Sequence, residues 1–302
     1  MKNRDLDQLA TEQRHPHSSD LDTLSSEESV RLLLEEDRLG LESALKQSES
    51  ITKAAMWICQ TLESGGNVAF AGAGTSGRLG VIEAAECPPT FGTEPHRIQA
   101  WIAGGSDAVF AAREGAEDDA DMGAQAAAGL RPGDLLVGIS ASSVTPWVRG
   151  ALEQAGGLGA RTILLTCASS TGLESSADLV IGLETGPEIL TGSTRLKAGS
   201  ATKAVLNAMT TTAMVRLGKV YQNLMVDLRP GSEKLKQRAV RIVAQAANIS
   251  MEAAKRLHDA AGGDVKTAIV MGCNQVTAEQ ARQSLDRAAG RVRAALEDRG
   301  ER

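Results

Sequence analysis

The stretch Val68–Gly92, VAFAGAGTSGRLGVIEAAECPPTFG, decides the fold. An apolar run, Val68-Ala69-Phe70, enters the glycine- and hydroxyl-rich turn Gly72-Ala73-Gly74-Thr75-Ser76-Gly77. A helix-like segment follows, and Pro88-Pro89 are expected to stop it. A strand, a Gly/Ser/Thr turn and a helix together present backbone N–H groups and a helix N-terminus to an anion. The same helix would carry a carboxylate, Glu86, about two and a half turns beyond the loop. A phosphate cradle with a carboxylate nearby points to chemistry on a phosphorylated small molecule.

Gly72, Gly74 and Gly77 also satisfy the G-x-G-x-x-G fingerprint of dinucleotide folds. That fold needs an acidic residue at the end of the second strand, about 20 residues on. The next strand candidate, Ile98–Ile102, runs into Ala103-Gly104-Gly105 without one, and Glu94 sits in a Thr-Glu-Pro turn. Thr75 and Ser76 instead fit a cradle that grips one phosphoryl group with hydroxyls as well as amides.

A second loop of this kind follows Leu135–Ile139. It reads Ser140-Ala141-Ser142-Ser143-Val144-Thr145, and Pro146 opens a helix to Gln154. Two such turns in one sheet could converge on a single phosphate at a topological switch point. The alternative is that Ser140, Ser142 and Thr145 merely cap a helix.

The remaining strand candidates are Thr162–Leu165 and Leu179–Ile181, and their alternation with helical stretches predicts a parallel sheet covered on both faces. Helical segments are expected at Asp107–Glu114 and Asp118–Ala128, and a long helix from Ser200 to Lys219. Ahead of the sheet, helices are expected at Glu27–Leu45 and Ser50–Glu63; the acidic pair after Ser25-Ser26 reads as offset from strict capping-box spacing. After Arg229-Pro230-Gly231 the chain loses its strand signal. Glu233–Ala246, Ser250–Ala260, Val265–Met271 and Ala278–Glu297 read as a small helical bundle. The expected organisation is an N-terminal helical arm (1–54), an α/β sugar-phosphate-binding domain (55–229) and the bundle (230–302).

Bulk properties narrow the partners. The chain has 302 residues, 42% hydrophobic but only 2% aromatic, so its core is aliphatic and it lacks stacking platforms for nucleic-acid bases. A net charge of −6 also argues against a phosphate-backbone partner. Cys59, Cys87, Cys167 and Cys273 have no C-x-x-C spacing, and the four histidines are scattered, so no metal site is expected. The N-terminus lacks an apolar signal region and no apolar run approaches a membrane span, which predicts a cytoplasmic protein without membrane partners.

GAGTSGRLG at 72–80, ECPPTFG at 86–92, IAGG at 102–105, EGAEDD at 114–119, TGSTRLKAG at 191–199 and NLMVD at 223–227 occur in order along the chain. With Thr11-Glu12-Gln13-Arg14 ahead of them, they make it resemble the N-acetylmuramic acid 6-phosphate etherases, which have the sugar isomerase (SIS) fold. The resemblance implies a three-layer α/β sandwich and a homodimer working without metal or nucleotide. It implies cleavage of the D-lactyl ether to give N-acetylglucosamine 6-phosphate and D-lactate, in cell-wall amino-sugar recycling. It matches Glu86 and Glu117 to the acid/base carboxylates, and Ser76, Ser140, Ser142 and Thr145 to the phosphate-gripping hydroxyls. Gly74, Arg78, Arg195 and Lys197 are further candidates to meet the substrate's anionic groups, while Glu83 and Glu114 read as structural. A polar N-terminal motif shared with such enzymes implies an arm that helps close the partner subunit's site.

The chain departs from the family pattern in the second loop. Relatives usually read Ser-Gly-Arg-Thr-Pro, whereas Ser143 and Val144 stand at the Gly-Arg places. Serine tolerates positive φ less well than glycine, and valine offers an anion nothing, so weaker substrate binding is expected. An aldose–ketose phosphate isomerase and a non-catalytic sugar-phosphate sensor of the same fold are the competing readings.

Overall fold

Ser25 opens the first long helix. It accepts from the Glu28 amide, and the Glu28 carboxylate accepts in return from the Ser25 amide at 2.9 Å. The Ser25–Glu28 pair therefore has full capping-box spacing, which corrects the offset read from the sequence. The structure, a computed structural model, describes residues 9–168, 176–228 and 233–297. The Arg229-Pro230-Gly231 boundary lies outside the described residues.

Helices α1 (Ser26–Lys46) and α2 (Ser48–Glu63) lead into β1 (Val68–Gly72), α3 (Gly74–Phe91), β2 (Ile98–Ile102), α4 (Ala120–Ala127) and β3 (Leu135–Ile139). Then come α5 (Pro146–Gly157), β4 (Arg161–Thr166), β5 (Leu179–Gly182) and α6 (Lys197–Arg216). The five strands form one parallel sheet in the order β2-β1-β3-β4-β5. Every residue of β1 and β3 is buried, as expected for central parallel strands covered on both faces. Leu136 and Leu164 pack against Val148, Ala151 and Leu152 of α5 in an aliphatic layer.

This α/β unit comprises Met1–Ala84 and His96–Thr212; the second unit comprises Ala85–Pro95 and Ala213–Arg302. The second unit holds a short antiparallel hairpin, β6 (Val220–Tyr221) and β7 (Leu224–Met225), which the sequence reading did not anticipate. It continues with α7 (Glu233–Ala247), α8 (Met251–Ala260), α9 (Val265–Asn274), α10 (Ala278–Arg287) and α11 (Val292–Glu297). The single expected helix Ala278–Glu297 is thus two, because Ala289 and Gly290 turn left-handed between them, at φ 49° and 72°. Ile242, Val243, Ile269 and Val270 form the unit's core. Asp227 lies between Lys219 at 2.9 Å and Lys266 at 2.7 Å.

Two further expectations about helices fail. Pro88 and Pro89 do not stop α3, which runs through them to Phe91. Each proline forfeits one amide donor, but the turn beyond still closes through Gly92 N–H to the Pro88 carbonyl at 3.0 Å. The stop comes at Gly92, left-handed at φ 66° and packed against the Asp227 backbone, where a Cβ would collide. Asp107–Glu114 is not an α-helix either. A single 3-10 turn, Ser106–Val109, starts after two left-handed glycines, and Arg113 folds back to pair with Asp107 at 2.7 Å. The stretch closes on itself as a compact loop.

Candidate active site

The order β2-β1-β3-β4-β5 puts the chain reversal between β1 and β3, the crevice where α/β sheets bind ligands outside the strand C-termini. Gly72 ends β1 in register with Ile139 at the end of β3, so the two hydroxyl-rich loops emerge side by side.

The glycines of the first loop divide by role. A Cβ on Gly72 would fall 2.7 Å from the Gly77 nitrogen, and one on Gly77 would fall 2.6 Å from the Gly72 oxygen. These two let the strand end and the helix start touch, a packing need that any tight β-α turn shares with dinucleotide folds. Gly74 differs: it is left-handed at φ 52° and has open space where a side chain would be. Thr75 and Ser76 follow it in the first turn of α3, both partly exposed. Thr75 lies next to the first turn of α6, its Cγ2 3.7 Å from the place a Gly199 Cβ would take.

In the second loop, Ser140 Oγ and Thr145 Oγ1 bond each other at 2.8 Å. Thr145 is the N-cap of α5, yet its side chain makes no capping bond, and Pro146 takes the first helical place. The hydroxyls therefore do not serve as simple helix caps. The loop backbone is tied to β4 through Ser140 N–H to Leu165 O at 3.0 Å and Cys167 N–H to Ala141 O at 3.1 Å. Ser142 is partly exposed on this frame. Burial pushes the Cys167 thiol up to about 11, which leaves it protonated and inert at neutral pH.

Ser143 occupies left-handed backbone at φ 61° and is fully buried. A non-glycine residue there costs roughly 1–2 kcal/mol. Ser143→Gly is therefore expected to stabilise the protein by up to about 1 kcal/mol, after the greater flexibility of glycine in the unfolded chain is subtracted. Thermal melts check this, and a lower melting temperature for the variant would mean that the serine's own contacts outweigh the strain.

Glu117 and its acidic neighbours separate cleanly. Asp119 caps α4, its Oδ1 accepting from Met122 N–H at 2.9 Å. Glu117, two residues earlier, caps nothing and lines a cavity of about 270 Å³. The cavity walls are Ala73, Gly74 and Arg78 at the start of α3 on one side, and Ala112–Glu117 with Ala103 and Ala108 on the other. The Glu117 segment is anchored by the α4–α5 crossing, where Gly123 meets the Trp147 carbonyl and Gly150 meets the Ala120 carbonyl too closely for any side chain. Glu114 and Arg113 also line the cavity, a placement that the sequence reading missed. Only the i, i+3 spacing of Glu114 to Glu117 hinted at it. Glu86 is exposed on α3, in the part of that helix belonging to the second unit. Glu83, one turn earlier, is buried and bonded by Thr210 Oγ1 and by Asn207 Nδ2 at 3.1 Å, which fits its expected structural role.

Of the candidate cations, Arg195 is exposed. Lys197 is 4% exposed, and its ammonium lies 2.6 Å from Glu36 and 2.9 Å from the Pro187 carbonyl. Its charge is paired inside the fold, so a substrate anion meeting it there would compete with a buried carboxylate. Glu188 closes the same corner by accepting from Lys197 N–H at 3.1 Å and Ala198 N–H at 2.8 Å, while burial raises its pKa. The N-terminal arm also packs on its own chain here. Ser18 Oγ donates to Ile189 O at 2.8 Å, and His15 Nε2 reaches Glu36 at 3.3 Å. Among the described residues, no cluster of three or more His, Cys, Asp or Glu side chains could hold a metal, and no helix is long and apolar enough to cross a membrane.

Comparisons with known proteins bear on the fold and the family. The family model for the glucokinase regulatory protein N-terminal SIS domain matches residues 50–156, and that for the SIS domain matches residues 108–212. The N-acetylmuramic acid 6-phosphate etherase of Geobacillus thermodenitrificans is 46% identical over 97% of this chain and 100% of its own length. That of Cutibacterium acnes is 47% identical over 95% of each chain. A phosphosugar-isomerase-like protein of Bacteroides fragilis involved in capsule formation superposes with a TM-score of 0.51 at 16% identity, over 66% of this chain and 95% of that one. That likeness shows the fold.

Proposed function

Because the chain belongs to the N-acetylmuramic acid 6-phosphate etherase family, we propose that it cleaves the D-lactyl ether of N-acetylmuramic acid 6-phosphate, releasing D-lactate and N-acetylglucosamine 6-phosphate. The observation that carries the reading is the cavity that sets Glu117 against the open, left-handed Gly74 and the N-terminus of α3, an acid/base group beside an anion cradle. Thr75, Ser76, Ser140, Ser142 and Thr145 grip the phosphate in this proposal, and Glu86 is the second carboxyl.

The chemistry follows from the substrate. An ether at C3 is unactivated, so direct hydrolysis is slow. In the open-chain sugar, C2–H is acidified by the C1 aldehyde. One carboxylate takes that proton; the C3–O bond breaks, and the other group, as a carboxylic acid, protonates the departing lactate oxygen. Water then adds at C3 of the conjugated alkene, and C2 recovers a proton. Each positioned proton transfer is worth roughly 10²–10⁴-fold.

In this proposal the enzyme works in the cytoplasm, as a homodimer, on sugars recycled from the cell wall. An apolar stripe on α1 supports the dimer: Val30, Leu34, Leu41 and Leu45 share one face and are 56%, 65%, 47% and 74% exposed. A sensor reading draws on the Ser143-Val144 departure in the second loop. Reaction in isotopically labelled water separates the readings. Elimination and hydration put the label on the sugar C3 and none in lactate. Label in lactate would mean attack on the lactyl carbon, aldose–ketose conversion would mean an isomerase, and binding without turnover would mean a sensor.

A further inference from the structure

Arg78 stands in the second turn of α3, where a cation for the substrate phosphate was expected. Its guanidinium is engaged elsewhere. Nε donates to the Val109 carbonyl at 2.9 Å and Nη2 donates to the Ala108 carbonyl at 2.8 Å. These two carbonyls belong to the end of the 3-10 turn Ser106–Val109, in the segment that runs on to Glu117. The side chain itself forms part of the cavity wall between that segment and Gly74. A planar fork meeting two successive carbonyls fixes both distance and orientation, which a lysine's single point charge cannot do.

We infer that Arg78 is a positioning residue that clamps the Glu117 segment to the phosphate-cradling end of α3, and that it does not itself grip the phosphate. The inference rests on the proposed acid/base role of Glu117. Misplacing a reacting group by about 1 Å costs on the order of 10²-fold in rate. Substrate affinity, supplied by amides and hydroxyls of the two loops, has no reason to follow.

Arg78→Met, Arg78→Lys and Arg78→Ala test this by lactate release, by calorimetric binding of N-acetylglucosamine 6-phosphate, and by amide hydrogen exchange across Ala108–Glu117. The expected result is a kcat about 10²-fold lower in Arg78→Met, with sugar-phosphate affinity held within about threefold. Exchange across the segment should quicken about tenfold or more. Guanidinium ion in the buffer should restore part of the turnover of Arg78→Ala and none of that of Glu117→Gln. If affinity falls and kcat holds, Arg78 is a phosphate ligand and the inference is overturned; unchanged exchange overturns it as well. If the parent releases no lactate, the functional reading fails on its own, and the exchange comparison still decides the clamp. If Arg78→Met does not fold, the Lys variant is read by the same criteria.

Discussion

Glu117→Gln is expected to lose about 10²–10⁴-fold in lactate release while binding N-acetylglucosamine 6-phosphate with little change. Glutamine keeps the size and the hydrogen-bonding shape of the side chain but cannot exchange a proton. Glu117 is exposed to the cavity and caps no helix, so the substitution carries little folding cost, and a loss of rate is not a loss of structure. Glu86→Gln, also at an exposed position, is expected to fall by a similar factor. The double variant should be little worse than either single one if, as proposed, the two groups act in one elimination, because their effects are then not additive. Steady-state kinetics on the three variants, with calorimetric binding alongside, makes the check. Near-normal lactate release by either single variant would remove that residue from the reaction.

The fold was largely legible because its signals are local and redundant. Short apolar runs bounded by glycine and hydroxyl residues put β2 at Ile98–Ile102 and β3 at Leu135–Ile139, the bounds the structure shows. Where the reading failed, tertiary contact overrode local propensity. Pro88 and Pro89 look like a helix stop, yet α3 continues to Gly92, whose backbone packs against Asp227, more than a hundred residues away. Asp107–Glu114 has helical composition, but Arg113 turned back onto Asp107 and Arg78 drawn to the Ala108 and Val109 carbonyls hold it as a loop.

The site was legible as residue types and less so as partners. The two hydroxyl loops stand out because Ser and Thr at a strand end, just before a helix, are a local pattern. Glu117 and Asp119 are indistinguishable in the sequence EDD, and only the helix start at Ala120 decides that Asp119 is the cap. Lys197, next to a threonine-rich loop, reads as a substrate cation. What pairs it is Glu36, 161 positions away, a relationship no spacing rule reaches.

That pairing gives the largest expected change in stability. Lys197→Met should destabilise the protein by about 3–5 kcal/mol, the usual consequence of stranding one member of a buried ion pair. The Lys197 side chain is 5% exposed and that of Glu36 12%, so water cannot replace the lost ammonium. The His15 imidazole also reaches Glu36, its Nε2 at 3.3 Å, so the carboxylate keeps one partner when the ammonium is lost. The damage should reach the site, because the pair fixes the first turn of α6, and Gly199 of that turn lies against Thr75. Adding Glu36→Leu to Lys197→Met should restore much of the loss, since an apolar replacement of both charges removes the stranded carboxylate. Denaturant unfolding of the parent, the single and the double variant measures all of this. A Lys197→Met protein as stable as the parent, or a double variant no better than the single, would show that Lys197 is not the counter-ion that holds Glu36, and would reopen its place among the groups that meet the substrate.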